Sequence, residues 1–263
     1  MGTLNLNAQH IHDFGETAPA NLSEDIGAAW ATSDGIGSNE SFPVVQLYYE
    51  QRLLDDRILV SLGKIDTTNY VGTNRFADDT LFFMNRAFSS NPAINYPGNG
   101  LGAVIACAIS EEFYLGACIA DANGVETQSG FDSIGAGDFF LAPEAGLTLK
   151  IADLGEGNYR LTVWHSDNAS EVDLPEDYGV ALSIDQEVGG GLVPFFKYAW
   201  SDGEATGVRN IVAGGIGLEG PFGREDDVLG AALSWGESTD ASLGEQVVAE
   251  VFYRLQLAAN IQW

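Results

Sequence analysis

The sequence predicts an all-β fold: an antiparallel transmembrane β-barrel of roughly twelve to thirteen strands in one domain, 1–263, with an infolded constriction loop at 66–100. Three observations carry this. Strand-length segments alternate apolar and polar residues, so that one face is greasy and the other wet. Short polar turns and long loops follow one another along the chain, as they do when strands run up and down a bilayer. No run of about 18 apolar residues occurs, so any crossing of a membrane is made by strands.

Composition sets limits without choosing a fold. The chain has 263 residues with 38 acidic against 11 basic, a net charge of −27, 32 glycines and 8 prolines. That charge repels phosphate, and nucleic acid is excluded as a partner. A secreted acidic β-sandwich would share this composition, so the alternation has to decide. Met1 leads directly into an alternating segment with no basic start or apolar core. With no signal peptide, a chain placed outside the inner membrane is expected to be trimmed at its start.

Thr3–His12 opens with Leu4, Leu6 and Ala8 on one face and Asn5, Asn7 and Gln9 on the other. Asp13–Phe42 reads as a loop rich in Gly, Ser, Asn and Asp. The hairpin Val44–Asp66 is the clearest element. Gln46, Tyr48, Glu50 and Arg52 point one way, and Val45, Leu47, Tyr49 and Leu53 the other, with Gln51 out of pattern. Leu54-Asp55-Asp56-Arg57 makes the corner and Ile58–Ile65 returns. In the return arm Lys64 and Asp66 share parity with Ile58, Val60 and Leu62, and a bulge near Gly63 would turn them inward.

Asp66–Gly100 shows no alternation. Asp78-Asp79 is placed to cap a helix over Thr80–Phe88, where Leu81, Met84 and Phe88 fall at helical spacing. Loops this long within a compact domain are functional or disordered, and Leu81, Phe82, Phe83, Met84 and Phe88 argue for order. Strands then follow at Leu101–Ile109, Phe113–Ala120, Pro143–Ala152, Asn158–Ser166, Tyr178–Gln186, Gly191–Ser201, Asn210–Leu218, Asp227–Trp235 and Gln246–Gln256. Leu257, Ala259, Ile261 and Trp263 alternate toward the end.

A cation facing lipid at mid-membrane costs about 2–4 kcal/mol, which fixes the facing of each strand. Val247, Ala249, Val251, Tyr253 and Leu255 face lipid, leaving Gln246, Glu250, Arg254 and Gln256 inward. Leu147, Leu149 and Ile151 match Tyr159, Leu161 and Val163, leaving Lys150, Arg160, Thr162 and Trp164 inward. Leu192, Phe196 and Tyr198 face out and Lys197 in. An inner wall of opposite charges and aromatics suits a water-filled pore for polar uncharged solutes. Cys107 and Cys118 cross one hairpin, but pairing the greasy faces sends Cys107 outward and Cys118 inward, so two free thiols are expected.

Other features read as ordinary structure. His10, His12 and His165 do not form a metal set: His10 and His12 share a face, but no third ligand is evident. Asp121-Ala122-Asn123-Gly124 has only part of a calcium loop and reads as a turn. Trp200 and Trp235 suit the membrane interface. No nucleophile elbow, phosphate loop or zinc signature is found, so neither an enzyme nor a cofactor is expected.

Several segments taken in order resemble the carbohydrate-selective porins of the OprB family. They are Leu47-Tyr48-Tyr49-Glu50-Gln51-Arg52 with Leu54-Asp55-Asp56-Arg57, Gly63-Lys64-Ile65-Asp66, and Phe83-Met84-Asn85 through Asn91-Pro92-Ala93. Ala120-Asp121-Ala122-Asn123-Gly124, Tyr159-Arg160-Leu161 and Tyr198-Ala199-Trp200-Ser201-Asp202 follow, then Arg224-Glu225-Asp226-Asp227-Val228-Leu229-Gly230 and Tyr253-Arg254-Leu255-Gln256-Leu257. The resemblance implies a sixteen-stranded outer-membrane barrel that admits glucose and related monosaccharides by diffusion, narrowed by an infolded loop. It also implies further strands before Thr3 and after Trp263.

The expected pore-lining, sugar-contacting residues are Glu50, Arg52, Lys64, Asp66, Lys150, Arg160, Trp164, Lys197, Glu250 and Arg254. For the charged residues, solvating the lumen and pairing with one another is the competing reading. Expected partners are monosaccharides, outer-membrane lipid and lipopolysaccharide, in a homotrimer or a monomer. The alternatives are a secreted carbohydrate-binding β-sandwich and a general or cation-preferring pore.

Overall fold

The computed structural model describes residues 2–12, 22–33, 42–258 and 261–262. Residues 13–21 and 34–41 of the expected first loop lie outside the described residues, as do Ala259 and Trp263 of the expected terminal alternation.

Twelve antiparallel strands form one sheet in simple chain order. They are β1 Gly2–Ala8, β2 Val44–Leu53, β3 Ile58–Ile65, β4 Gly100–Ala108, β5 Phe113–Asp121 and β6 Phe139–Ile151, followed by β7 Gly155–Ser166, β8 Asp177–Gln186, β9 Leu192–Ser201, β10 Val208–Glu219, β11 Val228–Ser238 and β12 Glu245–Arg254. A small hairpin, β13 Gln256–Ala258 with β14 Ile261–Gln262, ends the chain, and one helical turn, α1 Leu22–Asp25, lies in the connection between β1 and β2. Among the described residues β1 and β12 form no ladder with each other, so the sheet is open. This single sheet departs from the two stacked layers of the β-sandwich alternative.

The apolar rows point outward and remain exposed: Leu47, Leu62, Ile105, Leu115, Leu161, Val163, Ile216, Leu233, Val247 and Val251 are each at least two-fifths exposed. An exposed apolar band of this extent is what a lipid-facing wall presents. The opposite face is lined by Val104, Phe140, Trp164, Phe195, Val208, Ile211 and Ala232. These pack in one cluster with Val71, Phe76, Phe83 and Phe88 from the connection between β3 and β4. The sheet therefore wraps around that loop, and the core sits inside the wall.

Cys107 lies opposite the exposed Leu115, whereas Cys118 lies opposite the buried Val104, and both thiols are free. The corner after β2 places Leu54, Asp55 and Asp56 at φ of 53°, 53° and 65°, in the left-handed region that aspartate tolerates better than most residues.

Three local expectations are corrected. Val45 is not an outward residue: the β1–β2 register skips it, Asn7 facing Gln46 and Ala8 facing Val44, and it is buried in the resulting bulge. No bulge turns the end of β3, because the ladder runs unbroken from Leu53 opposite Ile58 to Leu47 opposite Lys64. Gly63 takes φ +141° there without adding a residue.

The third correction concerns the helix. It is a single turn, α2 at Arg86–Ser89 with Asn85 as N-cap, and does not span Thr80–Phe88. The Asp78 carboxylate accepts from the Thr80 N–H at 3.0 Å and its hydroxyl at 2.6 Å, closing a local turn instead of starting a helix.

Candidate functional site

Residues 66–99 enter the sheet's inner face. Asp66 starts the loop by accepting from the Thr68 N–H at 2.9 Å, capping a 3-10 turn at Thr67–Asn69. From there, side chains of the wall grip the loop's main chain at three places.

At the first, Glu144 of β6 accepts from the Gly72 N–H at 3.3 Å. Arg160 of β7 and Ser183 of β8 donate to the Thr73 carbonyl at 3.3 and 3.0 Å. Asp185 of β8 accepts from the Arg75 N–H at 3.3 Å. At the second, the Glu250 carboxylate accepts from the Met84 and Asn85 N–H groups at 2.8 and 3.0 Å. At the third, Lys197, 2% exposed, donates to the Phe88 carbonyl at 3.3 Å and to that of Ser90. The carboxylate thus meets the N–H end of α2 and the ammonium its carbonyl end, the polarity a helical turn favours.

Shape completes the grip. On β10 and β11 inward glycines make sockets for rings. A Cβ on Gly217 would meet Phe76 at 2.1 Å, and one on Gly230 would meet Phe252 at 2.2 Å. Phe76, Phe83, Phe195 and Phe252 form a chain of edge-on and tilted rings with centroids 4.7–6.4 Å apart. Burying the loop's own Phe76 and Phe83 rings stabilises its position by about 1.5–3 kcal/mol each.

Two clefts flank the pinned loop. One, of about 590 Å³, is lined by Arg52, Tyr70, Thr73, Tyr114, Glu144 and Arg160. In it Glu144 accepts from the Tyr114 hydroxyl at 2.7 Å and the Thr162 hydroxyl at 2.6 Å. The other, of about 620 Å³, is lined by Arg75, Phe82, Glu219, Glu225, Asp226 and Arg254. Here Arg75 reaches Glu187 at 2.8 Å, Glu219 at 3.6 Å and Asp185 at 3.8 Å, while Arg254 lies 5.2 Å over the Phe82 ring. The Arg160–Asp185 pair at 3.3 Å, on neighbouring wall strands, links the lining of the first cleft to the carboxylates around Arg75.

The expected site residues divide by what they touch. Arg52 and Arg160 border the first cleft and Arg254 the second. Glu50 sits 3.6 Å from Arg52 and accepts from the Ser61 hydroxyl at 3.4 Å. Lys150 is exposed near the turn end of β6, opposite Glu156. Lys197 and Glu250 hold loop main chain rather than border either cleft. Lys64 keeps the outward parity of Leu62, and its ammonium donates to the carbonyls of Val44 at 2.8 Å, Glu126 at 2.6 Å and Gln128. Trp164 is 1% exposed, stacked on Phe140 at 6.4 Å, so no solute reaches its ring.

Residues not anticipated are Tyr70, Arg75, Phe82, Tyr114, Glu144, Asp185 and Glu219. Inward parity could have found Glu144 and Asp185. The loop residues carry no periodic signal.

Among the described residues no group of three or more His, Cys, Asp or Glu is placed to hold a metal ion. Asp121 binds its own turn, accepting from the Asn123 N–H at 3.0 Å and the Ser133 hydroxyl at 2.5 Å.

Comparison with known proteins gives one family and one fold. The profile of a family described as carbohydrate-selective porin, OprB family, matches residues 2–262. The high-pH structure of Pseudomonas putida OprB is similar at a TM-score of 0.69 and 18% identity, over 86% of this chain and 67% of that one. The low-pH structure of the same protein is similar at 0.55 and 16%, over 85% and 63%. No curated protein matches the sequence.

Proposed function

The chain belongs to the carbohydrate-selective porin family OprB, and from that premise we propose that it passes monosaccharides such as glucose by diffusion along a water-filled path between the infolded loop and the wall. The family and the all-β fold indicate an outer-membrane β-barrel. The observation that carries the proposal is the pairing of a pinned loop with two clefts lined by arginines, carboxylates and aromatic rings.

Such a lining suits a neutral polyol. Guanidinium groups and carboxylates replace the water on sugar hydroxyls with charge-assisted hydrogen bonds, and each contact is weak enough to exchange. Opposite charges lie side by side, as in Arg75 with Glu187 and Glu219, so the path offers donors and acceptors without a deep well for an ion. Phe82 and Tyr70 supply apolar faces for a pyranose ring. No covalent step is involved. Lipid and lipopolysaccharide would contact the exposed outer rows, around a monomer or a homotrimer.

Proteoliposomes holding the protein are expected to swell faster in glucose or arabinose than in a non-sugar solute of equal size. Equal rates would reduce the protein to a general diffusion pore, and no swelling to a barrel without a transport role. A cation-preferring pore is the second reading, favoured by Glu187, Glu219, Glu225 and Asp226 around one cleft and by the net charge of −27. A reversal potential under a salt gradient separates the two.

A further inference from the structure

The first long connection leaves the sheet at β1 and re-enters at β2, at one edge. Yet its residues 22–33 lie against β11, β12 and the infolded loop, toward the other edge. Gln246 of β12 binds this segment with both ends of its amide: Oε1 accepts from the Ala29 N–H at 2.8 Å and Nε2 donates to the Gly27 carbonyl at 2.7 Å.

Trp30, 6% exposed, donates from Nε1 to the Asn85 side-chain oxygen at 2.9 Å, and Asn85 is the N-cap of α2. The Trp30 ring occupies a notch at Gly236 of β11, where a Cβ would come within 2.8 Å of it. The Arg86 N–H donates to the Ala31 carbonyl at 3.3 Å, a second bond to the same helical turn. The Ser23 hydroxyl accepts from the Thr32 N–H at 3.0 Å and closes the segment on itself. At the seam with α2 only a small cleft of about 170 Å³ is left.

We infer that residues 22–33 are an outer clamp on the constriction, with Trp30 and Gln246 as positioning residues that hold α2 in place and so set the largest solute admitted. The inference rests on the channel reading above. A single helical turn has no stability of its own, so its position is the sum of its contacts. Glu250 and Lys197 hold α2 from the wall, and the clamp holds its N-terminal end from the connection between β1 and β2. Without the clamp the Asn85 cap loses its indole partner and the Arg86 N–H its carbonyl. The loop then opens more readily, at the low-stability end of the structure's local unfolding.

The test uses the full chain in proteoliposomes with arabinose, sucrose and raffinose, and three variants that loosen the clamp from separate positions: Trp30→Ala, Gln246→Ala and Gly236→Val. Each is expected to raise the raffinose rate relative to arabinose, moving the size limit toward the trisaccharide while heat-modifiable gel mobility stays that of the folded barrel. Trp30→Phe keeps a ring in the Gly236 notch and is expected to shift the limit less than Trp30→Ala. An unchanged raffinose-to-arabinose ratio in folded Gln246→Ala and Trp30→Ala overturns the inference.

Amide exchange separates this from failure of the channel reading. Faster exchange at Ala87 and Ser89 in Gln246→Ala supports the clamp even if the unmodified protein passes no sugar, and unchanged exchange there overturns it.

Discussion

Lys197 and Glu250 bring opposite charges to opposite ends of one helical turn. Lys197→Met leaves the Phe88 and Ser90 carbonyls without that donor, a loss of about 1–3 kcal/mol for buried groups. Amide exchange across residues 86–90 should quicken while the strand ladders stay protected, and equal exchange would mean the ammonium does not hold the loop. Glu250→Gln, which keeps the shape and one acceptor, should loosen residues 84–85 less than Glu250→Ala.

Asp227, in the turn before β11, is the residue to follow by pH. Hydrogen bonding from the Arg224 guanidinium, with the Tyr253 hydroxyl and the Gln256 N–H, lowers its carboxyl from the usual range to about 2. The folded value lies below the unfolded one, so these bonds contribute fully above the ordinary carboxylate pKa near 3.8 and are lost as pH falls toward 2. Acid unfolding in detergent, followed by circular dichroism, should lose part of its pH dependence across that window in Asp227→Asn. An identical acid profile would remove the turn's role.

The infolded loop is the element that sequence periodicity describes least well. Leu81, Met84 and Phe88 fall at helical spacing, but Met84 is 56% exposed while Phe83 and Phe88 are fully buried. Their apolar character answers to Phe195 and Phe252 on the wall, not to one face of a helix. The strand glycines are the complementary half of this packing. Gly217→Val would place atoms where the Phe76 ring lies and should displace the loop around Arg75. Raised single-channel conductance with an intact barrel is expected, and unchanged conductance would show that Phe76 does not seat the loop. Trp164 fits the same logic: its inward parity was readable, but its burial follows from the close approach of Gly179 and Phe140, residues distant in sequence.

For the molecule as a whole, the outward rows are the feature on which the rest depends. Leu161→Arg would put a cation on the apolar band at a cost of about 2–4 kcal/mol near mid-membrane. Folding into bilayers titrated with denaturant should fall by that order, whereas Lys150→Arg, already exposed near the turn end, should leave it unchanged. The number of strands and most of their facing follow from period-two alternation, because a strand with one face in water and the other in lipid must carry that difference at every second residue. Lys197, Arg160, Glu250 and Arg254 were therefore legible as inward, and Cys107 and Cys118 as lying on opposite faces.

What those inward groups touch was decided only by the tertiary structure. A loop of some 34 residues without periodicity folds back across the sheet. Its backbone claims Lys197 and Glu250, places Arg75 between three carboxylates and leaves Arg52 and Arg254 to the clefts. Facing is a local property of the chain, written residue by residue. Occupancy of the interior depends on contacts between residues 72 to 166 apart in sequence, for which a single sequence carries no period.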